Sequence, residues 1–92
     1  MDLILSKEAQ KFIAKLEEKQ TRQIALRIMD LKNFGHLQDS KKLKGSEIDY
    51  YRVDTGELRI IYRIEEETIL ILLVGKRNDN EVYNQFKRKI KN

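Results

Sequence analysis

Four side chains of this 92-residue chain are suited to handling an anion: Arg52, Arg59, Arg77 and Tyr83. Two of them fall in one stretch. The apolar run Ile69 to Val74 delivers the backbone to Gly75, Lys76 and Arg77, and after the polar turn Asn78-Asp79-Asn80 comes Glu81-Val82-Tyr83. A strand that ends on a guanidinium, with a phenol returning a short turn later, suits a phosphate, because the guanidinium fork pairs with two phosphate oxygens at once. Arginine keeps its proton, with a pKa above about 12, so the three arginines are charge stabilisers and not bases. Tyr83 is the candidate proton carrier.

Other cations lie within reach in sequence. Lys41, Lys42 and Lys44 surround Leu43 ahead of Gly45, and Lys76 precedes Arg77. These are candidate RNA-binding lysines; a basic loop is also what ordinary solvation produces. Residues 76–92 carry six Lys/Arg against two Asp/Glu, which equals the whole net charge of +4. A basic patch of this kind favours a nucleic acid or an acidic protein as partner.

The elements that must position these groups follow from hydrophobic periodicity. Leu3 and Leu5 alternate with polar neighbours, as in a short strand. Ser6 is placed to cap a helix with Ala9, Phe12, Ile13 and Leu16 on one face. A break over Glu18-Lys19-Gln20, with Thr21 as the next cap, leads to a second stripe of Ile24, Ala25, Ile28 and Leu31, closed by Gly35. The two form an antiparallel helical hairpin. Residues 36–47 read as a polar connection. From Ile48 the period becomes two, giving three strands in a meander around the turns Asp54–Glu57 and Glu65–Glu67. Asn80 then caps a last helix with Val82, Phe86 and Ile90 on one face. The expected fold class is α+β: an antiparallel sheet with an N-terminal helical hairpin and a C-terminal helix, all in one domain spanning residues 1–92.

Strand register decides whether the arginines meet. A two-residue tip at Thr55-Gly56 places Arg52 opposite Arg59 on one sheet face, a repulsive pair unless solvent screens it or an anion sits between. A three-residue loop at Glu65–Glu67, or an equivalent bulge, pairs Arg59 with Leu73 and brings Gly75 and Arg77 to that same face; a regular two-residue loop sends them to the other.

Several chemistries are excluded or unsupported. The chain has no cysteine, so disulfides, zinc-thiolate sites and thiol nucleophiles are absent, which fits a reducing cytoplasm. The longest apolar run is far short of the roughly 20 residues of a membrane span, and the N-terminus lacks a signal-peptide layout. His36, the only histidine, reads as a surface or helix-end residue. Asp49, Asp54 and Glu57, like Glu65 to Glu67, read as solvent-facing carboxylates, so no metal site or other cofactor is expected.

Taken in order, the first strand, the helical hairpin, Lys42-Leu43-Lys44-Gly45, Tyr51-Arg52-Val53, Leu58-Arg59-Ile60-Ile61-Tyr62, and Gly75-Lys76-Arg77 with Glu81-Val82-Tyr83 resemble the RelE/ParE superfamily of toxins, and its RelE branch in particular. The resemblance covers nearly the whole chain. It implies a type II toxin that enters the ribosomal A site and cleaves mRNA without a metal, the ribose 2′-hydroxyl attacking the neighbouring phosphate while the 5′-oxygen leaves. Arg52 takes the place of a basic strand residue, Arg59 and Arg77 match the arginines that hold the scissile phosphate, and Tyr83 matches a tyrosine that stacks on a base or moves a proton. A RelB-like antitoxin is the implied partner, with operator DNA reached only through the antitoxin complex. One departure stands out: the family has a second basic residue two positions after the first, and here that residue is Asp54. The alternatives are a ParE-like inhibitor of DNA gyrase and a weakly active toxin that works mainly within an operator-binding complex.

Overall fold

Three strands form the meander whose alternation the sequence displays: β3 Tyr51–Thr55, β4 Leu58–Glu65 and β5 Thr68–Lys76. The computed structural model, which describes residues 1–91, adds a strand to each side. β1 (Asp2–Leu5) lies parallel to β5, and a two-residue β2 (Lys41–Lys42) pairs with β3, so the sheet runs β1-β5-β4-β3-β2. The sheet is thus mostly antiparallel, with one parallel edge. β2 lies inside the stretch expected to be an irregular connection. Nothing apolar marks it; it exists because Lys41 and Lys42 pair with Arg52 and Tyr51, and lysines are well suited to an exposed edge.

Ser6 caps α1 (Lys7–Ala14) as its position suggests, its hydroxyl accepting the Ala9 N–H at 3.0 Å. α2 (Glu18–Phe34) starts earlier than expected, with Glu17 and not Thr21 at its N-cap, and Glu18-Lys19-Gln20 form its first turn instead of a break. An acidic residue there complements the helix dipole. Gly35 ends α2 with φ 73°, and its N–H bonds to the Leu31 carbonyl.

The helical hairpin and α3 (Glu81–Ile90) cover opposite faces of the sheet, so the apolar core is split. Ala9, Ile24, Ile28 and Leu31 pack on Val53, Ile60, Tyr62, Ile69 and Ile71. On the other face Ile61 and Leu73 meet Val82 and Phe86. Val82 and Phe86 therefore serve to cover the chain's own sheet. Ala25, expected in the core stripe, is exposed.

Candidate functional site

The two hairpins place the arginines, and each differs in detail from the expected register. The first tip is Gly56-Glu57, with Thr55 opposite Leu58, so Arg59 faces Asp54 and Arg52 faces Ile61. Arg52 and Arg59 still share a sheet face, offset along it. The anion between the two arginines is supplied by the chain itself.

The second hairpin has a tight turn, Glu65 pairing with Thr68, and parity is then changed by a bulge. Tyr62 pairs with Ile71 but Ile61 pairs with Leu73, leaving Leu72 as the extra residue. Beyond it Arg59 faces Gly75, not Leu73. Gly75 thereby joins the face of Arg52, Asp54 and Arg59. Ser6 holds the bulge: its hydroxyl donates to the Leu72 carbonyl at 2.5 Å.

Arg59 lies at the centre. Its Nε donates to Asp54 Oδ1 at 2.7 Å, its Nη2 to Asp54 Oδ2 at 3.1 Å, and its Nη1 to Tyr83 Oη at 2.5 Å. Only 9% of Arg59 is exposed. Arg52 Nη1 stands 3.8 Å from Asp54 Oδ2. Arg77 follows the end of β5, exposed, its N–H tied to the Glu57 carbonyl at 2.7 Å. The hydrogen bonds from Arg59, aided by the charges of Arg59, Arg52 and Arg77, hold the Asp54 carboxyl below its ordinary range against the opposing effect of burial. Asp54 in turn raises the pKa of Arg59.

Tyr83 reaches this cluster because α3 begins directly after the Arg77 turn and rests against Gly75. A Cβ on Gly75 would lie 2.7 Å from Val82 Cβ, so only glycine lets the helix approach this closely. The first turn of α3 is held by Asp79, whose Oδ1 accepts the Glu81 N–H at 2.9 Å; Asn80 occupies the N-cap position without a side-chain bond. At its far end Lys89 joins Glu8 of α1 at 2.5 Å.

The lysines separate. Lys41 stands opposite Arg52 and shares the site face. Lys42 pairs with Asp49 at 3.1 Å. Lys44 is exposed in the loop after β2. Lys76 faces Leu58 on the side of the helical hairpin, where with Gln20, Glu57, Asn78 and Asn80 it lines a cleft of about 540 Å³. The carboxylates around the first turn do not converge, since Asp49 meets Lys42 while Asp54 meets Arg59. His36 is on the hairpin side, its Nδ1 3.0 Å from Tyr62 Oη. No helix among the described residues is long and apolar enough to cross a membrane.

Asp54 belongs to β3 and not to the turn expected there, whose tip lies one residue later at Gly56-Glu57. Its spacing two residues from Arg52 puts it on the arginine face, a signal the sequence carries.

A five-stranded, mostly antiparallel sheet between a helical hairpin and one terminal helix defines a small α+β fold. The family model of the ParE toxin of type II toxin–antitoxin systems, parDE, matches residues 3–81. The chain belongs to that family, and so to the RelE/ParE toxin superfamily of type II systems. Solved structures similar to it include RelE toxins, alone and in complex with RelB. The RelB–RelE antitoxin–toxin complex from Methanococcus jannaschii is similar at 27% identity, covering 90% of this chain and 98% of that one, with a TM-score of 0.70. The archaeal RelE–RelB complex from Pyrococcus horikoshii OT3 is 25% identical over 83% of this chain and 93% of that one, with a TM-score of 0.68. The isolated RelE toxin of E. coli shares the fold at 22% identity and a TM-score of 0.71, covering 97% of both chains. No curated protein matches the sequence.

Proposed function

We propose that this toxin is a ribosome-dependent mRNA endoribonuclease of the RelE type, one that inhibits translation by metal-independent attack of a ribose 2′-hydroxyl on the adjacent phosphate. The observation that carries the proposal is the gathering of Arg52, Arg59, Arg77 and Tyr83 around one point at the end of the sheet. Such a cleavage needs charge stabilisation of a pentavalent phosphorane, an acid for the leaving 5′-oxygen and a base for the 2′-hydroxyl. Arg59 and Arg77 supply the first, and Arg52 adds positive charge on the same face. Tyr83 suits the second, because its oxygen accepts from Arg59 and its own proton is therefore free to point outward. The third is the weak part. Asp54 is the nearest carboxylate, but both its oxygens accept from Arg59 and its pKa is lowered, so it is a poor base. Catalysis then rests on positioning and electrostatics, and the enzyme is slow relative to one with a dedicated base.

Lys41, beside Arg52 at the edge of the sheet, extends the cationic face toward the flanking RNA backbone, and Lys44 lies in the loop beyond it, whereas Lys76 is on the hairpin side. The partner is a RelB-like antitoxin, in keeping with the RelE–RelB complexes the chain resembles; operator DNA is then met only through that complex, in the cytoplasm where ribosomes are found. The gyrase-directed alternative comes second: the matching family model is that of the ParE toxin, but the similar solved structures at 25% identity or more include RelE toxins in complex with RelB, which supports the RelE reading. Primer extension on mRNA after induction tests the proposal: codon-aligned cuts that vanish in Arg77→Ala are expected, whereas intact mRNA with growth arrest would overturn it.

A further inference from the structure

Arg59 is not a fully open receptor for an anion, because three of its five N–H donors, including both on its Nε–Nη2 edge, are already taken within the protein. The Asp54 carboxylate receives two of them and the Tyr83 hydroxyl a third. The Arg59 side chain is 11% exposed and that of Asp54 27%. Carboxylate and phosphate present the same acceptor geometry to a guanidinium fork, and one fork edge cannot serve both. A phosphate brought against Arg59 with Asp54 in place would also meet a like charge at hydrogen-bond distance, which is repulsive.

The same face holds a second partner for the carboxylate. Arg52 is two residues from Asp54 on β3, and its Nη1 lies 3.8 Å from Oδ2. It makes no other ion pair among the described residues. Resting distance favours Arg59, yet a modest rotation of the Asp54 side chain would transfer it to Arg52 without leaving the charge unpaired. We propose that Asp54 is an internal anion that occupies the arginine cluster of the free protein and moves from Arg59 to Arg52 when a phosphodiester binds. This deepens the anion-site assignment made above and rests on it.

The consequence is a built-in threshold. Affinity for a ligand falls by the fraction of molecules that are open, so a phosphodiester offered alone binds weakly. One also held by Arg77 and Lys41 gains enough contacts to shift the carboxylate. Asp54 thus acts as a positioning residue that sets how much outside help a substrate needs.

Binding of a fluorescent 2′-O-methyl oligoribonucleotide, which cannot be cleaved, tests this by anisotropy at fixed ionic strength. Asp54→Asn should bind about tenfold tighter than the wild type, a change worth about 1.4 kcal/mol. Glu65→Gln removes the same charge at the exposed end of β4 and should show no comparable gain. In an Arg59→Ala background Asp54→Asn should gain nothing. Unchanged or weaker binding by Asp54→Asn, a gain matched by Glu65→Gln, a gain that survives loss of Arg59, or no binding by any variant would each overturn the proposal. The wild type gives a check that needs no substitution: the Arg59 Nε–H resonance should shift as the oligonucleotide saturates the protein, and an unmoved resonance would count against displacement. Cleavage is not read in either experiment. A protein that shows this binding pattern but leaves ribosomal mRNA intact keeps the internal-anion role and loses the ribonuclease assignment; codon-aligned cutting without the pattern does the reverse.

Discussion

Arg59 on β4 stands directly opposite Gly75 on β5, and the pairing exists because β5 carries one extra residue at Leu72. Without that bulge the register set at the Glu65–Thr68 end would continue, Arg59 would meet Val74, and Gly75 would face the helical hairpin. The residue after the bulge is also Leu73, which packs in the α3 core, whereas Ile71 before it packs in the hairpin core. One inserted residue thus serves both the site and the division of the core.

Ser6 sits at the point where these depend on each other, accepting the Ala9 N–H and donating to the Leu72 carbonyl. Ser6→Ala should lower stability by about 1–2 kcal/mol through loss of the cap and of the bulge's partner. Urea unfolding measures the loss, and amide exchange should rise both at the start of α1 and around Leu72. A loss confined to α1 would mean that the bulge is held by other contacts.

Gly75→Ala forces a Cβ to within 2.7 Å of Val82 Cβ, which must push α3 away from the sheet. A cost of about 1–3 kcal/mol is expected, as for overpacked sites in general, together with loss of growth arrest as Tyr83 is drawn off Arg59. Thermal unfolding and an induction assay read the two effects.

Arg77→Ala and Arg59→Ala should both abolish growth arrest, but they should differ in stability. Arg77 is exposed, and its substitution should change unfolding free energy by no more than about 0.5 kcal/mol. Arg59 is buried between Asp54 and Tyr83, and removing it strands a partly buried carboxylate, at a cost of about 1–3 kcal/mol. Equal stabilities of the two variants, measured by denaturant unfolding, would contradict the central place given to Arg59. Sustained toxicity of Arg77→Ala would contradict its role at the phosphate.

The Asp54–Arg59 pair should also shape acid stability. Asp54 is held below its ordinary pKa of 3.8 in the folded protein, so on acidification the unfolded chain takes up the proton first. Its contribution is complete above about pH 4 and is lost as pH falls through the lowered folded value. Glu8 is also lowered, chiefly by its hydrogen bond to Lys89, and so contributes to acid stability as well. Stability curves of wild type and Asp54→Asn therefore need to be subtracted: the difference should shrink as pH drops below about 4, and a constant difference would show that Asp54 is not preferentially ionised in the folded state.

Phe86→Ala should loosen α3 while the hairpin side of the sheet persists, because Phe86 belongs to the smaller core with Ile61, Leu73 and Val82. A loss of about 3–5 kcal/mol is typical for such a truncation. Hydrogen exchange should rise first in residues 81–90, and uniform destabilisation of the whole chain would argue against two separable cores.

Much of this molecule is legible along the chain. Local chemistry announces Ser6 as a cap and Gly35 as a stop, the helical stripe of Ile24, Ile28 and Leu31, and the alternation of β3 and β4, since each depends on neighbours a few residues away. The set of cations is legible too, and so is the common face of Arg52 and Arg59, because sliding the tip by one residue at each side preserves parity. Tertiary pairing decided the rest. β2 is a strand only because β3 offers it an edge. α2 gains its first turn at Glu18 without a side-chain cap. Above all, the run from Ile69 to Val74 is apolar at every position, so no alternation reveals which side chain faces which helix. Only packing against two separate cores places the bulge at Leu72, and with it Gly75 beside Arg59; only the folded hairpin sets Asp54, and not Arg52, across from that arginine.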